Sequence, residues 1–305
     1  MKVEINQLAD QSTQYRLKNS RGIEVDILSK GGQIQRLLVP DRNGHQEDIL
    51  LGNLKSSSLE NSLFNGLSGH LYDLSVSSMP CETNLSFHLI PFTGEAFTTT
   101  HRIGVRLCTT IFINIHVIHI EILYILTNDN QLILRYFAKT KQPLRLSLSN
   151  LIFFNLSGNL KESISQHDLK FSSSYFLNPT YALLNDSWFM RTKGTVFDFQ
   201  LGRRLKHLFI DETTPASLTD TYFLFCQKPV IAVHEALSGR WMTIESSQPG
   251  FLLSTAWIPS IEAGEQRTKS VSGVCFDLKP FILSSLVNQR SPYSQHTTYS
   301  FSTTY

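Results

Sequence analysis

Charge is scarce in this chain of 305 residues: 17% of its side chains are Asp, Glu, Lys or Arg, and 27 basic residues nearly cancel 25 acidic ones. No basic stripe interleaves with aromatic residues, so a nucleic-acid partner is not expected. Long exposed helices usually carry more charge, and the scarcity therefore leans the chain towards β-structure. Paired cysteines are missing too. Cys81, Cys108, Cys226 and Cys275 stand alone with no Cys-x-x-Cys pair, which suits reduced thiols in a cytoplasmic protein better than a disulfide framework. Long apolar runs are absent. Met1 to Asp10 holds no apolar signal core. The most apolar stretch, Ile111 to Leu126, is interrupted by Asn114, His116, His119 and Glu121, so it is too short and too polar for a transmembrane helix. No membrane partner is expected, and the cytoplasm is the expected compartment.

Several kinds of chemistry are also without their motifs. Gly31-Gly32 has no helix behind it to offer an N-terminus to a phosphate. Ser238-Gly239-Arg240 lacks the glycine arrangement of a nucleophile elbow. His116 and His119 lie three apart, which on a strand sends them to opposite faces, so no metal site is expected.

What the chain does have is a period of two. Ile111, Ile113, Ile115 and Val117 alternate with Phe112, Asn114 and His116, then the alternation slips by one and resumes at Ile118, Ile120 and Ile122. The slip reads as one long strand carrying a β-bulge or changing faces. Thr127 to Asn130 is turn chemistry, and alternation from Gln131 to Ala138 then makes a hairpin. Further runs fall at Glu24 to Ile27, Ile34 to Val39, Leu144 to Leu148, Phe223 to Cys226, Val230 to Ala236, Trp241 to Glu245 and Phe251 to Trp257. Turns recur about every 8–12 residues, the mark of a sandwich or barrel. Helical periodicity is scarce, with Leu51 to Leu59 offering a turn or two. One large all-β domain over residues 1–305 is the expectation.

One run poses a question. Ser147 to Gly158 reads Ser-Leu-Ser-Asn-Leu-Ile-Phe-Phe-Asn-Leu-Ser-Gly, a strand-like apolar segment between Asn150 and Asn155. Each asparagine brings amide donors and acceptors that must find partners. The run is either a plain core strand or one wall of a site.

The order of short segments carries a resemblance. Lys18-Asn-Ser-Arg-Gly-Ile-Glu-Val25, Gly31-Gly-Gln-Ile34, Val39-Pro-Asp-Arg-Asn-Gly44 and Asp48-Ile-Leu-Leu-Gly52 come first. Tyr124 to Leu132, Arg135-Tyr-Phe-Ala138, Asn150 to Gly158, Thr195-Val-Phe-Asp-Phe199, Ser238-Gly-Arg240, Gln248-Pro-Gly250 and Gly273-Val-Cys-Phe-Asp277 follow. Nearly the whole chain in this way resembles the aldose 1-epimerases, the galactose mutarotase family. That resemblance implies a large galactose-mutarotase-like β-sandwich with a sugar-binding groove across one sheet. It implies a small-molecule sugar as partner, no cofactor, and interconversion of the α and β anomers of a free aldose. A general base takes the anomeric hydroxyl proton while a general acid protonates the ring oxygen, and the ring opens, rotates and closes.

Carried over residue by residue, the match thins where the chemistry lies. The family acid is the His of Asn-His-Thr-Tyr-Phe-Asn, and Leu151 stands there. The asparagines around it are then expected in a site wall. The family base is a Glu near the C-terminus; Asp277 keeps the carboxylate one methylene shorter, and Lys279 replaces a Gln and is expected to ion-pair with a nearby carboxylate. The family's Gly-Arg-x-x-Asn-Arg maps onto Gly69 to Leu74, so the sugar-contacting Arg becomes Leu74, with His70 beside it. Asp220 matches an Asp that binds sugar hydroxyls, and His88 matches the His of Leu-His-Gly-Gly without its glycines. Asp277 and His88 are thus the candidate catalytic pair, with Asp220, His70, Leu74, Leu151 and Lys279 the candidate sugar contacts. Three readings stay open: an epimerase whose acid has moved to another residue, a relative that binds a sugar without turning it over, and an epimerase of a sugar phosphate.

Overall fold

In a computed structural model the described residues are 1–52, 64–73, 81–177, 189–208, 221–226, 229–259, 269–280 and 285–304. They form 24 strands in four sheets, every pairing antiparallel. No helix among them is long and apolar enough to cross a membrane. Residues 53–59 of the short helical stretch expected from the sequence lie outside the described residues.

The period of two is realised directly. Along Gln131–Thr140, Leu132, Leu134, Tyr136 and Ala138 are buried while the residues between them are not. This strand sits near the middle of a nine-stranded sheet, between His116–Thr127 and Tyr293–Thr303. Where one bulged strand was expected, the structure has two. Arg102–Ile113 and His116–Thr127 pair in register from Ile113↔His116 to Thr127↔Arg102. A two-residue turn at Asn114-Ile115 joins them, with Asn114 at φ 51. The slip in alternation is therefore a chain reversal, because Asn tolerates the left-handed backbone a tight hairpin needs.

A five-stranded N-terminal sheet runs from Lys2–Gln7 to Gln46–Asp48. Asn19 pins it to the hairpin turn through hydrogen bonds to Thr127 O and Asn130 Oδ1. A four-stranded sheet has the order Ser285–Val287, Leu144–Asn150, Leu67–Asp73, Cys81–Ser86, and a six-stranded sheet begins Phe153–Phe154, Lys269–Asp277, Gly250–Pro259, Thr221–Phe225. The chain passes from one to the other through Leu151-Ile152. The nine-stranded sheet packs beneath both: Tyr293 Oη contacts the Leu148 backbone, and the Phe154 and Tyr299 rings lie 5.4 Å apart. One continuous apolar core, from Tyr15 to Phe301, fills the sandwich.

The two asparagines answer to this core. Asn150 accepts from Tyr136 Oη at 2.8 Å and donates towards Gly32 O and Tyr124 Oη. Asn155 donates to Glu162 O and Ser272 O while accepting from the backbone and hydroxyl of Ser157. Both side chains are buried among backbone groups that need partners, so they hold the layers together and are not part of a site wall.

Candidate functional site

Where the four- and six-stranded sheets meet, a cavity of about 380 Å³ opens. Its walls follow from alternation and register. On the four-stranded side Ser68 and His70 share a face of Leu67–Asp73 and pair across to Ser86 and Asn84. On the six-stranded side Asp277 and Cys275 pair across to Leu252 and Ser254. All eight line the cavity, with Leu151 and Phe153 from the crossing segment between them.

Asp277 ends its strand, and the chain then turns. Leu278 is buried in the core and its carbonyl accepts from Gln295 Nε2 at 3.1 Å, while Lys279 O accepts from Tyr222 Oη at 2.9 Å. With Leu278 fixed inward, the spacing of two brings Asp277 and Lys279 out on one side. Lys279 Nζ donates to Asp277 Oδ2 at 2.7 Å and to His70 Nε2 at 3.1 Å. An ammonium only donates, so His70 accepts at Nε2 and carries its proton on Nδ1. The other carboxylate oxygen, Asp277 Oδ1, is buried and has no hydrogen-bond partner among the described residues.

His88 stands on the turn after Cys81–Ser86, its Nδ1 2.8 Å from Ser86 Oγ. Gly31 makes that placement possible. Its backbone lies at φ +72, and a Cβ there would sit 2.9 Å from His88 Cα, so only glycine lets the N-terminal sheet pass so close. Leu151 is held by its own backbone, which bonds Gly66 O and Asn65 N. It packs with Phe153, Leu51 and Cys275. Cys275 is buried, and desolvation first, then the neighbouring Asp277, pushes its thiol well above the ordinary range, so it offers no thiolate nucleophile.

The fold thus gathers His70, His88, Leu151, Asp277 and Lys279 around one cavity, and Lys279 forms the ion pair expected from the sequence. Leu74 and Asp220 lie outside the described residues. The sequence reading missed Ser68, Asn84, Ser86 and Ser254. Of these only Ser254 falls in a run marked by alternation, Phe251 to Trp257, and the pairing that turns all four towards Asp277 is long-range. Among the described residues no group of three or more His, Cys, Asp or Glu is arranged to hold a metal.

A model of the aldose 1-epimerase family matches residues 116–291, more than half of the chain. The chain belongs to the aldose 1-epimerase family. Galactose mutarotase of Sus scrofa is 23% identical over 268 residues, spanning 76% of this chain and 74% of the relative. The Homo sapiens galactose mutarotase is 25% identical over 134 residues, 40% of this chain and 36% of its own. Among solved structures, galactose 1-epimerase from Lactobacillus acidophilus NCFM superposes with a TM-score of 0.77 at 15% identity, covering all of both chains. An aldose epimerase homologue from C. elegans gives 0.74 at 16%, again over both whole chains. At those identities the two structures establish the galactose-mutarotase-like fold.

Proposed function

We propose that this epimerase-family protein binds a free aldose in the cavity between its two smaller sheets and interconverts the sugar's anomers. Asp277 takes the proton from the anomeric hydroxyl. The observation that carries the reading is Asp277 Oδ1, a buried carboxylate oxygen with no hydrogen-bond partner among the described residues, at the wall of a cavity. An unpaired buried acceptor is costly, and a sugar hydroxyl meets that need. The lining suits a small polyol: serines, an asparagine and two histidines alternate with Leu67, Leu85, Leu151 and Phe153, giving polar contacts on an apolar surface. The sequence likeness puts His88 forward as the acid, and His88 lines the same cavity.

Leu151 favours a second reading. It occupies the family's acid position and has no proton to give, so the protein would hold a sugar without turning it over. The two readings part in one assay. Freshly dissolved α-D-galactose and α-D-glucose are followed by polarimetry with and without protein, and again with Asp277→Asn. Acceleration that falls about 10²-fold in the variant supports the enzyme. Saturable binding by calorimetry with no acceleration for either sugar supports the binder.

A further inference from the structure

From the hydrogen-bonded row Asp277–Lys279–His70, we infer that Lys279, not a histidine across the cavity, delivers the proton to the ring oxygen, so that acid and base act side by side from one wall. The inference rests on the epimerase reading above and names the acid within it.

The geometry is that of a paired donor and acceptor. Lys279 Nζ lies 2.7 Å from Asp277 Oδ2, while Asp277 Oδ1 has no partner among the described residues. Two of the three ammonium protons go to Asp277 and to His70, which leaves one for a ligand in the cavity that Lys279 lines. A hemiacetal presents a matching pair, since the anomeric hydroxyl and the ring oxygen hang on the same carbon. A base and an acid on neighbouring atoms therefore reach both oxygens without flanking the sugar.

The step balances. Asp277 Oδ1 takes the hydroxyl proton, and the O–H electron pair becomes the second bond of the C1 carbonyl. The bond from C1 to the ring oxygen breaks, its electron pair stays on that oxygen, and Lys279 protonates it. Asp277 is then a carboxylic acid and Lys279 an amine. After rotation about C1–C2 the amine takes back the hydroxyl proton, the ring oxygen attacks the other face of C1, and Asp277 returns its proton to the carbonyl oxygen. The ammonium beside the opening bond also stabilises charge as it develops. His70 is a positioning residue, because its Nε2 lone pair fixes where Lys279 points. The arrangement gives Leu151 a consistent place: with the acid on the opposite strand end, its position is free to be apolar.

The titratable groups facing the cavity among the described residues are His70, His88, Cys275, Asp277 and Lys279. The test compares Lys279→Arg, His88→Gln, His70→Gln, His70→Leu and Asp277→Asn in full-length protein, with circular dichroism and sugar-binding calorimetry as checks on folding. Arginine keeps the charge and the ion pair but does not release a proton at accessible pH, so it separates charge from proton delivery. Expected is a loss of about 10²-fold in kcat for Lys279→Arg with sugar binding retained, and for His88→Gln a smaller loss that falls mainly on KM. His70→Leu should lower kcat with KM little changed, and His70→Gln, which keeps an acceptor, should recover much of that loss. An active Lys279→Arg, or a rate that falls through neutrality and is lost in His88→Gln, overturns the assignment of Lys279 and leaves the epimerase reading standing. A wild-type protein that accelerates neither sugar overturns both.

Discussion

Two buried carboxylate–cation pairs in this molecule differ in one respect. In the interior, Glu47 accepts from Arg240 at 2.9 Å and from Lys161. The remaining Arg240 donors go to backbone carbonyls of Val39, His45, Leu156 and Ser157. Burial alone would raise the Glu47 carboxyl, but the Lys161 and Arg240 hydrogen bonds hold it below its ordinary value. Among the described residues this network is closed. At the cavity, the Asp277–Lys279 pair is open: among the described residues Asp277 Oδ1 lacks a partner. Saturated ionic contacts fix backbone that arrives from distant segments. The unsaturated pair is where a ligand has something to complete.

Breaking the closed pair should produce the largest effect. Arg240→Met strands Glu47 with half its partners and takes a donor from four backbone carbonyls, of which His45 O keeps Asp41 N and Leu156 O keeps Ser238 Oγ, so stability should fall by about 3–5 kcal/mol. Urea unfolding followed by tryptophan fluorescence reads this as a lower midpoint with an unchanged slope. A midpoint equal to wild type would mean that the network is not structural.

Beside the closed network lies a group that should make the fold acid-sensitive. His167 is fully buried, and its Nε2 accepts from the Leu156 backbone at 2.8 Å. Desolvation pulls the imidazole from 6.5 down to about 4. As pH falls below 6.5 the unfolded chain takes up a proton that the folded chain refuses, so stability declines between pH 6.5 and 4 and levels off below. The loss is on the order of 3 kcal/mol across that window. Urea midpoints at pH 7.5 and 5 should differ in wild type and converge in His167→Gln. Equal midpoints in wild type would show that the ring is not held neutral.

The open pair should behave in the opposite way. Asp277→Asn is expected to lower the mutarotation rate about 10²-fold, near 2.7 kcal/mol in the barrier, while the unfolding midpoint shifts by less than half the change seen in Arg240→Met. A large stability loss with activity retained would reverse the comparison and make Asp277 the structural carboxylate.

How far the sequence carries this contrast depends on the range of the interactions. The strands were legible, because alternation in Gln131–Thr140 or Arg240–Ser246 is local. The Asn114-Ile115 hairpin was not, since a tight turn without glycine looks like a slip in phase. Asp277 and Lys279 emerged from family likeness, and their shared side from a spacing of two. Their union with His70 is set by how two sheets meet, which no local pattern encodes. Asn150 and Asn155 show the same limit from the other side. A buried amide serves a ligand or a backbone equally well on paper, and only the positions of Gly32 O, Glu162 O and Ser272 O assign these two to the core.

The smallest effect sharpens the comparison most. Leu151→His places an imidazole at the position that the family likeness gives to the acid, at a loss of roughly 1 kcal/mol of apolar packing against the cluster of Leu51, Phe153, Ala256 and Cys275. If Lys279 already supplies the proton, a second donor adds little, and the single variant should gain less than about 10-fold in rate, or 1.4 kcal/mol. Its value appears in combination. In Lys279→Arg the charge remains but the proton does not, so adding Leu151→His should recover much of the lost activity. The recovered rate should now decline as pH rises past an imidazole's ordinary 6.5. A double variant as inactive as Lys279→Arg would mean that the Leu151 wall does not face the ring oxygen, and that likeness in sequence order does not extend to the placement of the sugar.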